Sequence, residues 1–269
     1  MTEWFAGDAM ANGVRLHYVR TGGRHGDGKP AVVIATGITD IGIGYARVAR
    51  ALEDDYDVIL YDKRGHGSSE KPETGYTFET HAADLVDLVE ALDLDRPRVV
   101  AHSGGAAAAT LAAAEHPDLM TGLVLYDPCW GSGWGGWESS VAGLREWFDG
   151  VVSMPRQALT AKFSEENPTW GEEEVGYQVE SKLQVSPNVA QTFDQPEPDW
   201  RDALPKITCP ILLLTGDSEH GLISADDVQA MSELWQDGEV VQIDGAGHMV
   251  HFDRPEEFVE AVKAFLARV

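Results

Sequence analysis

Two cysteines, Cys129 and Cys209, are all that 269 residues contain. That is too few for a disulfide framework, so an apolar core must carry the fold, with thiols that stay reduced. Positive charge is scarce too: seven Lys and 13 Arg face 45 acidic residues, for a net charge of −25. Phosphate contacts need clustered Lys and Arg, so nucleic acid is excluded as a partner. The same deficit excludes an anionic membrane surface. No apolar run approaches the roughly 18 residues of a bilayer-spanning helix. The opening MTEWFAGDAM has neither the basic nor the apolar segment of a secretory leader. No His-Glu-x-x-His or comparable ligand spacing occurs, so neither a metal nor an organic cofactor is expected. Internal repeats and low-complexity linkers are lacking as well. These absences lead to the expectation of a soluble, cytoplasmic protein that acts on a small molecule; the sequence is silent on oligomeric state.

What is present is enough apolar residue, 43%, for a large core. Asn12-Gly13 supplies the positive φ angles of a tight hairpin turn, and Val14, Leu16 and Tyr18 alternate with polar residues after it. Short apolar runs then alternate with helical patterns. Strands are expected at AVVIAT, at 57–61, 98–101, 122–126, 211–215 and 240–243. Helices are expected at 43–52, 77–92, 105–115, 226–235 and 255–267. In the helix over 77–92, Ala82, Leu85, Leu88, Val89 and Leu92 share one face. Such alternation predicts an α/β fold, a mostly parallel sheet flanked by helices. Residues 129–203 break the rhythm. They hold six of the eight Trp, the Gly-rich GSGWGGW and the acidic SEENPTWGEEE, and no strand pattern. The expected organisation is a core of residues 1–128 and 204–269 with an inserted helical lid at 129–203.

The densest chemical signal is VVAHSGGAAAA. A strand runs into Ser103, and glycines open a helix directly after it. A strand–serine–helix turn this sharp needs small neighbours, which Ala101, Gly104 and Gly105 supply. It lifts the hydroxyl to the carboxyl end of the sheet and points helix N–H groups at a developing oxyanion. A plain N-cap serine would give the same local pattern. A serine hydroxyl needs a base. His248, on the Gly-rich loop IDGAGHMVHF, is the best placed of nine histidines. His251 is its rival, and His25, His81 and His116 read as surface residues. A carboxylate must hold the imidazole in one tautomer. Asp217 and Glu219 at the end of ILLLT, and Asp127 at the end of the preceding strand, all qualify. Trp130, Trp134 and Trp137, just past that strand, are candidate walls of an apolar substrate pocket, or simply packing residues of the lid; GSGWGGW reads as a gate.

Together these motifs resemble the α/β-hydrolase-fold superfamily, and the likeness covers nearly the whole chain. AHSGGA stands where members carry the Gly-x-Ser-x-Gly elbow. GAGH with its trailing RPEEF is similar to the region of the family's catalytic His, and the order Ser, acid, His matches. YDKRGHGSSEKP resembles the family's Asp-x-Arg-Gly-His-Gly-x-Ser loop, which makes Asp62, Arg64, Gly65, His66 and Gly67 structural. The resemblance implies Glu219 as the acid, three residues after the strand-ending Gly, with Asp217 and Asp127 as alternatives. It also implies an oxyanion hole from the backbone N–H groups of Ile38 and Gly104, although Thr36-Gly37-Ile38 departs from the usual His-Gly. The implied activity is a serine hydrolase cleaving a carboxylic ester of a small, fairly apolar substrate through an acyl-enzyme. Lactonase, thioesterase, C–C bond hydrolase and perhydrolase chemistry share the same machinery, and a non-catalytic ligand-binding protein would keep the fold without needing the triad.

Overall fold

The computed structural model describes residues 4–129, 141–194, 199–217 and 221–269. Strands β1 (Phe5–Ala11) and β2 (Val14–Arg20) form the expected hairpin, with Asn12 at φ 45° and Gly13 at φ 75° in its turn. The remaining strands are β3 (Ala31–Ala35), β4 (Asp57–Tyr61), β5 (Arg98–His102), β6 (Gly122–Tyr126), β7 (Ile211–Thr215) and β8 (Gly238–Gln242). They make one sheet in the order β1-β2-β4-β3-β5-β6-β7-β8. The β1–β2 and β2–β4 pairs are antiparallel and all others parallel.

The helices in chain order are α1 (Ala46–Leu52), α2 (Phe78–Ala91), α3 (Ser103–Glu115), α4 (Val141–Ser153), α5 (Arg156–Glu166), α6 (Glu172–Gln184), α7 (Trp200–Ala203), α8 (Ala225–Ser232), α9 (Val250–Asp253) and α10 (Pro255–Leu266). The central strands are apolar through their middles, with polar residues only at their ends (Asp57, Arg98, His102, Thr215), because both faces are covered. Val33, Ala35, Val99, Ala101, Leu123 and Leu125 face one core with α2 and α3. Val32, Ile34, Val100, Val124, Leu212 and Leu214 face the other, with α1 and α10. Thr77 caps α2 by accepting the Thr80 N–H at 3.1 Å, and Ala82, Leu85, Leu88 and Val89 are buried as the periodicity requires. His81 departs from its surface reading. It is only 6% exposed, beside the Tyr76 ring, whereas His25 and His116 are exposed. A histidine on the flank of an amphipathic stripe can be overlaid by the neighbouring loop, which periodicity does not register.

Between β6 and β7 the described residues carry α4–α7 and a 3-10 stretch, Pro187–Asp194, with no strand. This insertion has small cores of its own. Phe148, Val189 and Phe193 pack with Tyr76; Leu159, Phe163, Val175 and Val179 form a second cluster. Ser186 N–H donates to the Gly65 carbonyl at 2.7 Å, and Trp170 Nε1–H to Asp253 Oδ1 at 2.7 Å. Arg47 of α1 pairs with Glu174 of α6.

Candidate active site

The carboxyl ends of β3, β5, β6, β7 and β8 meet at one edge of the sheet. Ser103 leaves β5 with φ 49° and opens α3, a left-handed backbone that L-residues seldom adopt without tertiary support. The support is close packing. A Cβ on Gly105 would lie 2.4 Å from the Ala35 carbonyl oxygen, and one on Gly104 would lie 2.3 Å from Ile38 Cγ1. Only glycines let the loop after β3 press against the first turn of α3. That contact sets Ile38 beside Gly104, whose N–H lies in the turn where a helix leaves its donors free.

The loop that carries Ile38 is fastened by its carbonyls. Lys63 Nζ donates to the Gly37 oxygen at 2.6 Å, and the Asp40 N–H donates to the same oxygen at 3.1 Å. His66 Nε2 is bonded to the Ile38 oxygen, and Nδ1 lies 2.8 Å from the Arg64 carbonyl. Burial, aided by the Lys63 charge, pushes the His66 pKa down to about 3, while the two carbonyl oxygens pull it the other way. Thr36 Oγ1 reaches only the Asp40 carbonyl, at 3.5 Å. The loop thus takes its support from the Asp62–Gly67 segment. There Asp62 accepts the Gly42 and Ser68 N–H groups at 2.8 and 2.9 Å, and Arg64 forks onto Asp84.

His248 lies on the loop after β8, where Gly245 takes φ 73° and Gly247 N–H donates to Asp253 Oδ2 at 2.7 Å. Its Nδ1 is bonded to Asp127 Oδ2. The Asp127 carboxylate is 0% exposed, follows β6 directly and also accepts the Leu222 N–H at 2.9 Å. A Cβ on Gly221 would stand 3.0 Å from Asp127 Oδ1, so that segment closes tightly over the acid. The His248 side chain is 33% exposed, open enough for its other nitrogen to meet a reactant. Parallel pairing of β5 with β6 sets His102 opposite Tyr126, which brings the next residues, Ser103 and Asp127, to the same level of the sheet.

Asp217 is used differently from the sequence alternative. Its Oδ2 accepts the Gly245 N–H at 2.8 Å and its own N–H donates to the Ala246 carbonyl at 2.7 Å, so it ties the loop of His248 and leaves the imidazole to Asp127. Glu219, Trp130, Trp134 and Trp137, and the GSGWGGW gate, lie outside the described residues. The rival His251 is buried under the site. Its ring stacks on Tyr45 at 4.5 Å, its Nδ1 faces Tyr126 Oη at 3.4 Å, and burial drives its pKa well below the ordinary value.

Sequence reasoning missed a polar layer behind these residues. Asp40 Oδ2 lies 2.8 Å from Tyr45 Oη and 3.3 Å from His102 Nδ1. From the insertion, Gln178 Nε2 donates to Asp40 Oδ1 at 3.3 Å, and Lys182 Nζ sits 3.7 Å from it. Burial would raise the Asp40 carboxyl, but His102, Lys182 and Tyr45 outweigh it and hold it well below the carboxylate range. Lys63 is pushed down to about 8 by burial, against the pull of Asp40. His102 was visible next to Ser103, and Asp40 two residues after Ile38. Nothing in α6 marks Lys182 as a buried residue. Among the described residues no cluster of three His, Cys, Asp or Glu side chains could hold a metal ion, and no helix is long and apolar enough to cross a membrane.

A family model described as the alpha/beta hydrolase family matches residues 32–261. The N-formylmaleamate deformylase of Pseudomonas putida is 32% identical over 268 residues, 97% of this chain and 96% of that protein. The 2-(acetamidomethylene)succinate hydrolase of Mesorhizobium japonicum is 29% identical over 250 residues, 88% of each. A solved structure of E-2-(acetamidomethylene)succinate hydrolase superposes with a TM-score of 0.85 at 25% identity, covering 98% of this chain and all of that one.

Proposed function

The chain belongs to the alpha/beta hydrolase family, and from that premise we propose that this hydrolase cleaves an N-acyl C–N bond of a small molecule through an acyl-enzyme on Ser103. The observation that carries the reading is the Asp127–His248 pair at the sheet edge where a serine is held at φ 49° directly after β5. Asp127 keeps the proton on Nδ1 of His248, so Nε2 is the basic nitrogen. His248 takes the proton of Ser103 as its oxygen attacks the carbonyl carbon. The N–H groups of Ile38 and Gly104 receive the oxyanion, and one such donor is worth about 3 kcal/mol of barrier. His248 then protonates the leaving nitrogen, the C–N bond breaks, and water activated by the same imidazole releases the acid and restores Ser103. Asp127 is taken as the acid in this reading, because its carboxylate is bonded to Nδ1 of His248.

The sequence pointed to a carboxylic ester, and the same groups would cleave one. The amide-type bond is preferred because the deformylase of Pseudomonas putida and the hydrolase of Mesorhizobium japonicum carry an N-formyl or acetamido group in the names of their activities. The helical insertion over the sheet edge serves as the lid that excludes water from the acyl-enzyme. The test is a panel of N-formyl and N-acetyl compounds, p-nitrophenyl esters, lactones and thioesters, run on wild type and Ser103→Ala. Turnover of the amides that disappears in Ser103→Ala is expected. Turnover of esters alone would move the substrate class, and full activity of Ser103→Ala would remove the nucleophile.

A further inference from the structure

His102 stands between the two halves of this site. Its backbone is the last residue of β5, joined directly to Ser103. Its imidazole reaches across to the loop of His248, where Nε2 lies 3.0 Å from the His248 backbone carbonyl oxygen. A carbonyl only accepts, so Nε2 carries the proton and donates it. The opposite nitrogen, Nδ1, lies 2.9 Å from Tyr45 Oη and 3.3 Å from Asp40 Oδ2. The ring is held flat between neighbours as well, stacked on Tyr126 at 4.4 Å and set 4.5 Å from the ring of His248. Only 1% of the His102 side chain is exposed.

We propose that His102 is a positioning residue: anchored by Asp40 and Tyr45, it grips the backbone of His248 and so fixes the base against both Ser103 and Asp127. The inference rests on the catalytic roles proposed above for Ser103, His248 and Asp127. Three features separate this from ordinary core packing. The bond goes to the backbone of the base itself, on a loop whose glycines give it freedom. The donor belongs to the residue next to the nucleophile, so one rigid ring joins the two reacting groups without passing through solvent. The anchor is shared with the helical insertion, because Gln178 and Lys182 of α6 hold the other oxygen of Asp40. Displacement of α6 would therefore loosen the anchor of His102 and, through it, the base.

Geometry suggests the discriminating variants. A glutamine amide extends to where Nε2 of His102 lies and can keep the bond to His248. An asparagine amide ends near Nδ1, facing Asp40, and cannot. The experiment measures fluorophosphonate labelling, resolved into the maximal rate and the probe's binding constant. It is paired with proton NMR of the low-field resonance of the His248–Asp127 hydrogen bond, which needs no turnover. His102→Asn is expected to lower the maximal labelling rate by ~10- to 100-fold with little change in probe binding, because a misplaced base costs rate and not affinity. It should also broaden or shift the low-field resonance, and His102→Gln should restore both. Should His102→Asn not fold, Tyr45→Phe asks the same question by removing the hydroxyl from Nδ1, with a loss of roughly threefold to tenfold expected. Labelling and resonance equal to wild type in these variants, with Ser103→Ala unlabelled, would overturn the positioning role and leave the triad standing. Labelling that persists in Ser103→Ala would overturn the triad instead, and the resonance would still report whether His102 places His248.

Discussion

Two layers of the molecule use the same side chains to different ends. In the outer layer His248 is paired with Asp127; in the layer beneath it His102 is paired with Asp40. Both pairs sit at the carboxyl edge of the sheet, and their rings are 4.5 Å apart. What differs is access and partners. The His248 side chain is 33% exposed. Every polar reach of His102 is spent on the Asp40 carboxylate, the Tyr45 hydroxyl and the His248 carbonyl. The Asp127–His248 pair is thus partly open, whereas the Asp40–His102 pair is sealed by its neighbours. His251, three residues from His248, makes the same point: burial and stacking leave it no reactant to meet.

The difference between the two pairs rests most heavily on their carboxylates. Asp127→Asn should lower turnover by about 10⁴-fold, since an amide at that place favours the wrong imidazole tautomer. Asp217→Asn, which touches only the loop backbone, should stay within about threefold. Equal losses in steady-state assays of the two variants would erase the distinction.

The buried layer should dominate the response to acid. His81 and His251 have pKa values lowered well below 6.5 by burial. The unfolded chain binds protons below pH 6.5 that the folded chain refuses, so stability present above that pH is lost as pH falls. Each such group steepens the loss by about 1.4 kcal/mol per pH unit until its folded pKa is reached. His251→Phe, which keeps the ring against Tyr45, should flatten the curve of urea stability against pH between 6.5 and 5 by roughly that amount. An unchanged slope would show that His251 is not a buried neutral group.

Glycines sharpen the contrast between the site and the insertion. Gly105→Ala drives a Cβ into the Ala35 and Thr36 carbonyls, and a stability loss of about 1–3 kcal/mol is expected in urea unfolding. Gly176→Ala, on the exposed face of α6 with nothing within 4 Å of the new Cβ, should gain about 0.5–1 kcal/mol.

Much of the fold was legible because burial on both faces writes a strand as an unbroken apolar run. The runs at 57–61, 122–126 and 211–215 coincide with β4, β6 and β7. Edges were less legible. β8 begins two residues before its apolar run, since an edge strand carries Gly238 and Glu239, and the helix expected at 43–52 starts as a 3-10 turn, Gly42–Tyr45. At the site, Ser103 and His248 stood out by their glycines. Asp127 could be named only as an alternative, because its place beside Ser103 follows from the β5–β6 register, which no single strand sequence encodes. Lys182 was hidden for a related reason: an amphipathic helix with a charged face gives no sign that one of its lysines enters a buried cluster.

The most direct test is the structure of the fluorophosphonate adduct of the full chain. Phosphorus should be bonded to Ser103 Oγ, with the phosphonyl oxygen held by the N–H groups of Ile38 and Gly104 and Asp127 on Nδ1 of His248. An adduct on another residue, or a carboxylate other than Asp127 on that nitrogen, would contradict the proposed triad.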